Sequence, residues 1–181
     1  MKKVSVIIFA VCLVLFFAGC ASTSGIPANI ERARRNAPED VLVGIGNAKM
    51  GTVAQSRNIA ATRARADLSN AMSSIVSNMV RDYTASSEVD PQAAIAFQEN
   101  ITVTLSRSDV SGAQIISEEQ DRDGQWWCVM YLNKAALARE INQAQAAARL
   151  AVPAMASFNA EDRMNEAFDR LKSEQQAGTW F

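Results

Sequence analysis

No histidine occurs anywhere in the 181 residues. That removes Ser-His-Asp and Cys-His nucleophilic catalysis, and it removes the commonest metal ligand. Bases and acids nearly balance, 18 against 19, with no clustered basic face. Nucleic-acid binding rests on such a face, so it is not expected here. Long apolar runs are also missing. The apolar run at the N-terminus, Val4 to Ala18, has 15 residues. A spanning helix needs about 20, because the hydrocarbon layer is ~30 Å thick and a helix rises ~1.5 Å per residue.

What the N-terminus does hold is ordered. Met1-Lys2-Lys3 is followed by that short apolar run, and small residues close it. A positive start, a short apolar core and a small-residue end make a secretory signal peptide. The run ends Leu15-Phe16-Phe17-Ala18-Gly19-Cys20, and polar residues begin at Ser22. An apolar residue, two small residues and Cys look like a lipobox, the processing signal of bacterial lipoproteins. The resemblance implies cleavage between Gly19 and Cys20 and a diacylglycerol on the Cys20 thiol. It also implies acylation, palmitate-like, of the new amino group. Phe17 departs from the pattern, which prefers Leu there. Several acyl chains on one residue anchor stably, where one chain binds only marginally. Ala21 and Ser22 follow Cys20, and the absence of Asp next to it points to the outer membrane, with the domain in the periplasm.

Without residues 1–19, the chain's 18 bases lose Lys2 and Lys3, leaving 16 against 19 acids and a net charge of −3. Cys12 goes with the leader and Cys20 takes the lipid, so Cys128 has no partner for an intramolecular disulfide. Such a domain must be held by its core alone.

Residues 20–38 then read as the lipidated Cys and a flexible tether, rich in small residues and Pro. Its chain statistics give a span on the order of 25 Å. Arg32, Arg34 and Arg35 fall within it, and a solvated helical turn is a simpler account of them than contact with anionic headgroups. An α+β domain is expected over 39–150 and a C-terminal helical segment over 151–181.

The apolar run Val41–Ala48 reads as a buried strand. Gly44 and Gly46 do not complete a dinucleotide-binding fingerprint, because Lys49 stands where the third Gly belongs. They are better read as a bulge or as room for the following helix. That helix spans about Thr52–Tyr83, with Leu68, Ala71, Met72, Ile75, Val76, Met79, Val80 and Tyr83 on one face and Ala60, Ala61 and Ala64 earlier on it. Ile101-Thr102-Val103-Thr104-Leu105 alternates strictly and reads as a half-buried strand. Ala113–Gln120 and Gln125–Leu132 flank Asp123-Gly124, a strong hairpin signal. The second of these strands is apolar on both faces, so it is central or meets another molecule. Asn133 caps a helix from Lys134 to about Leu150, and Asn159 caps a last one from Ala160 to about Ser173. The expected class is α+β: one long helix packed on a small antiparallel sheet, in the order strand, helix, three strands, helix, helix.

At this point a resemblance appears. Gly44-Ile45-Gly46, the stretch Ala60-Ala61-Thr62-Arg63-Ala64-Arg65-Ala66-Asp67-Leu68, the Asp123-Gly124 hairpin with its aromatic strand, and Ala167-Phe168-Asp169-Arg170-Leu171 resemble the Lpp-twenty family of small bacterial lipoproteins. The N-terminal domain of a flagellar-assembly protein is similar. The resemblance covers about residues 38–172, on Gly, Ala and Leu at helical spacing. It implies an envelope-anchored protein without known activity, linked to flagella, surface antigens or envelope integrity. It implies a dodecin-like shape, a sheet wrapping one long helix, with no flavin site carried over.

Three function classes remain to be compared. A non-catalytic structural or interaction module of the envelope, meeting envelope proteins or a second copy of itself, fits the anchor and the missing histidine. Glu118-Glu119 and Glu161-Asp162 are then solvated or dipole-compensating charges, not acid–base pairs. A flavin-like or lipidic ligand is the alternative, motivated by Trp126 and Trp127, which project to opposite strand faces. For an enzyme, no residues have the spacing of a catalytic set. No cofactor or metal is expected.

Overall fold

The computed structural model describes residues 25–107, 110 and 112–177. The leader, Cys20, Ser111 and Thr179-Trp180-Phe181 lie outside the described residues. The chain is α+β: among the described residues there are five helices and a small three-stranded antiparallel sheet. In chain order these are α1 (Ala28–Arg35), β1 (Val41–Ala48), α2 (Val53–Ser86), α3 (Pro91–Arg107), β2 (Gln114–Gln120), β3 (Trp126–Asn133), α4 (Lys134–Ala151) and α5 (Ala160–Ala177), with a 3-10 turn at Pro153–Met155. The sheet order is β1-β3-β2. The doubly apolar strand β3 is therefore the central one.

The contact between α2 and β1 is set by two glycines. A Cβ on Gly44 would lie 2.4 Å from the Ala64 carbonyl oxygen, and one on Gly46 would lie 2.1 Å from that of Ala60. No side chain fits there, so bare backbone meets an alanine ridge. Thr52 starts α2 by accepting from the Gln55 N–H at 3.2 Å. Thirty-four residues carry the helix ~50 Å, past the end of the sheet. Its alanine half lies on β1, and its second half carries Leu68, Met72, Ile75, Val76 and Met79 into the core with α3, α4 and α5. Phe97 and Phe158 close that core edge to face at 5.2 Å.

Two expectations need correction. Ile101–Leu105 is not a strand; it lies within α3. The alternation Ile101, Val103, Leu105 is real, but Ala94, Phe97, Ile101 and Leu105 also recur every three or four residues, and these are the buried ones. Val103 is left exposed. Pro91 sits at the first position of α3, and Asp90 Oδ1 accepts from the Gln92 N–H at 3.1 Å. The order is thus strand, two helices, two strands, two helices, after an N-terminal helix that the sequence reading did not contain.

That helix is the second correction. Residues 28–38 are not a free tether. α1 lies across the face of the sheet opposite α2, with Ile30 fully buried among Val43 and Val129. Tyr131 Oη donates to the Ala33 carbonyl. Fully burying one Ile is worth roughly 1.5–3 kcal/mol, enough to hold a two-turn helix that would not persist alone. The C-terminal segment is likewise integral: Met164, Ala167, Phe168 and Leu171 of α5 belong to the main core.

Candidate functional site

The two tryptophans project to opposite faces of β3, and each face is covered. Trp126 packs against the main core beneath α2. Trp127 packs with Ile26, Ala33, Ile45 and Tyr131 around α1. Both are partly buried. Trp127 Nε1 donates to Asp121 Oδ2 at 3.0 Å. Asp121 also accepts the Asp123 and Gln125 amides at 2.9 and 2.8 Å, which folds the hairpin loop around one carboxylate. The Trp127 bond above all, then these amides, pulls the Asp121 carboxyl below its ordinary range. Gly124, at φ +80°, completes the turn.

Trp126 differs. Its Nε1–H is buried without a partner among the described residues, and so is Glu118 Oε1. Glu118 opposes Cys128 and Gln120 opposes Trp126 across the β2–β3 ladder, so Trp126 and Glu118 are diagonal neighbours on the α2 face. Arg57 of α2 donates to Glu118 Oε2 through Nε at 2.9 Å and Nη2 at 2.5 Å. Arg57, Glu118, Cys128 and Trp126 thus form one group on the α2 face of the sheet.

Its chemistry is not nucleophilic. Burial pushes the Cys128 thiol up to about 11, with the Glu118 charge adding to the effect. A reactive thiol needs the reverse. Cys128 is buried and acts as a small apolar filler. Glu161 and Asp162 lie in the first turn of α5, where acids compensate the helix dipole. Asn159 caps that helix by accepting from the Glu161 N–H at 3.2 Å.

A second set of polar residues does structural work that the sequence reading missed. The outer edge of β1 carries backbone groups with no strand beside them. Lys172 Nζ donates to the carbonyls of Pro38 and Val41, at 3.0 and 2.9 Å. Gln175 Nε2 donates to Val43 O at 3.2 Å. Asp67 Oδ2 accepts from the Ile45 N–H at 2.9 Å. Arg63 Nη1 donates to Asn47 O at 2.6 Å. Burial pulls Lys172 below the ordinary lysine range, with Asp40 and Glu39 opposing. It pushes the Asp67 carboxyl up, with the Ile45 amide opposing. Asp67 could have been noticed as the one acid amid an alanine ridge. Lys172 and Gln175 read as ordinary surface residues of an amphipathic helix.

Among the described residues, no group of three His, Cys, Asp or Glu side chains is placed to hold a metal ion, and no helix is long and apolar enough to cross a membrane. No family model matches the chain, and neither a curated protein nor a solved structure matches it.

Proposed function

We propose that this protein is a bacterial lipoprotein, anchored through Cys20, whose domain is a non-catalytic structural or interaction module of the cell envelope. The observation that carries the reading is the N-terminal order itself: Lys2-Lys3, a short apolar run, and Leu15 to Cys20 with Ala18-Gly19 before the thiol. α1 begins eight residues after Cys20, so a folded domain follows the anchor closely. Cys128, the thiol left to the domain, is buried and poorly ionised, which favours a binding role over covalent chemistry. The resemblance to Lpp-twenty lipoproteins adds flagellar or envelope assembly as the setting, with the outer membrane as the site. Labelling cells with an alkyne fatty acid tests the anchor. The label is expected on the wild type and absent from Cys20→Ala; equal labelling overturns the reading.

A further inference from the structure

We propose that the domain lies face-down on an anionic lipid surface, with the outward side of α1 against the headgroups. This rests on the reading of Cys20 as the lipidated residue.

The first observation is the docking of α1. Ile26 already packs in the cluster around Val43 and Val129, and Ile30 is fully buried in it. Chain length then limits the distance from Cys20 to Ile26, not the distance from Cys20 to residue 38. Six residues from Cys20 to Ile26 span at most ~20 Å fully extended. The acyl chains enter the bilayer at Cys20, so Ile26 sits no farther than that from the surface. A freely hanging domain would need the longer tether.

The second observation is which side of α1 faces away from the sheet. Helical geometry places residues 28, 32 and 35 opposite Ile30. Ala28, Arg32 and Arg35 are all exposed. Arg35 is held by Glu31 at 2.8 Å, an exposed pair that salt and competing phosphates loosen easily. The Arg32 guanidinium donates to the Asn29 amide oxygen at 3.5 Å, a long and exposed contact. Glu39 and Asp40 follow in the turn after the helix, but Lys172 lies beside that turn and its charge interacts with both. Each accessible arginine near an anionic leaflet contributes about 1 kcal/mol, about fivefold in population.

The test uses full-length protein purified from membranes, with mass spectrometry confirming acyl chains on Cys20. No acyl mass would overturn the anchor reading itself, before orientation is asked. The acylated protein is reconstituted into phosphatidylglycerol-rich vesicles carrying a nitroxide on the headgroup. A fluorophore is placed at Ala28→Cys or at Leu150→Cys, the latter in the helical layer across the sheet; buried Cys128 does not compete. Several-fold stronger quenching at 28 than at 150 is expected. It should fall about fivefold in face-down population for each of Arg32→Gln and Arg35→Gln. Equal quenching at the two positions, or stronger quenching at 150, overturns the proposal and leaves α1 to a protein partner. Quenching that survives both substitutions overturns the recognition of anionic lipid.

Discussion

The two edges of the sheet are treated in opposite ways. Along β1, four backbone positions are met by side chains from two helices: Lys172 and Gln175 from α5, Asp67 and Arg63 from α2. Along β2, the outer strand on the other side, Ile115 and Ile116 stand 46% and 45% exposed. Exposed edges invite pairing with other chains, and natural sheets blunt them with charge or bulges. β2 has both, Glu118-Glu119 and a register shift between Ile115 and Ser117. One edge is closed by construction and the other is only discouraged. The lesson is that closing an edge needs side chains held rigidly by packed helices: α2 and α5 supply them along β1, whereas α1, which also contacts β2, lies on a face of the sheet.

The comparison breaks most sharply at the glycines. Gly46→Val drives a side chain into the Ala60 carbonyl, so the β1 side should lose more than about 3 kcal/mol, a fall in Tm on the order of 10 °C. Thermal unfolding followed by circular dichroism measures it. Lys172→Met comes next. It keeps the volume but leaves the Pro38 and Val41 carbonyls without a donor, for an expected loss of about 1–3 kcal/mol in urea denaturation.

Asp67 gives a smaller effect with a sign. Its carboxyl is raised in the fold, so between the unfolded value near 3.8 and the raised one the native state holds more protons. Its contribution to stability is fully present below the unfolded value and is lost as pH rises through the folded one. Asp67→Asn keeps an acceptor for the Ile45 amide without that loss. It should match or exceed wild-type stability at pH 7, and the advantage should shrink on acidification; melts across that range decide it. The smallest change is expected on the open edge. Ile115→Lys should alter stability by no more than about 0.5 kcal/mol. Its visible effect should be less concentration-dependent association in light scattering.

Much of this was legible from the residues. The Val41–Ala48 strand, the close approach at Gly44 and Gly46, the long helix with its alanine half on the sheet, and the centrality of β3 all follow from period and side-chain size. The local errors came where two periods coincide. Ile101 and Leu105 satisfy both the strand's alternation and the helix's four-residue step, and Phe97 decides between them only once its burial is known. α1 was hidden by Pro27 and Pro38, which resemble tether composition but in fact bracket a two-turn helix. The tryptophans were correctly placed on opposite faces, yet their covering by α1 and α2 depends on tertiary contacts. The β1 edge was the least legible. Lys172 lies 131 residues from Val41 and Gln175 132 from Val43, and no local pattern marks a polar residue for such a distant backbone partner.

That separation also has a consequence in time. A ribosome adds residues from the N-terminus, and contacts across more than 130 positions form only when the chain is nearly finished. Until α5 emerges, β1 has its α1, α2 and β3 contacts, and the native lock at Pro38, Val41 and Val43 is absent. In a protein we read as exported, a late lock keeps the chain extensible while its leader engages the export machinery. The same residues that seal the finished edge would then delay premature folding simply by being synthesised last.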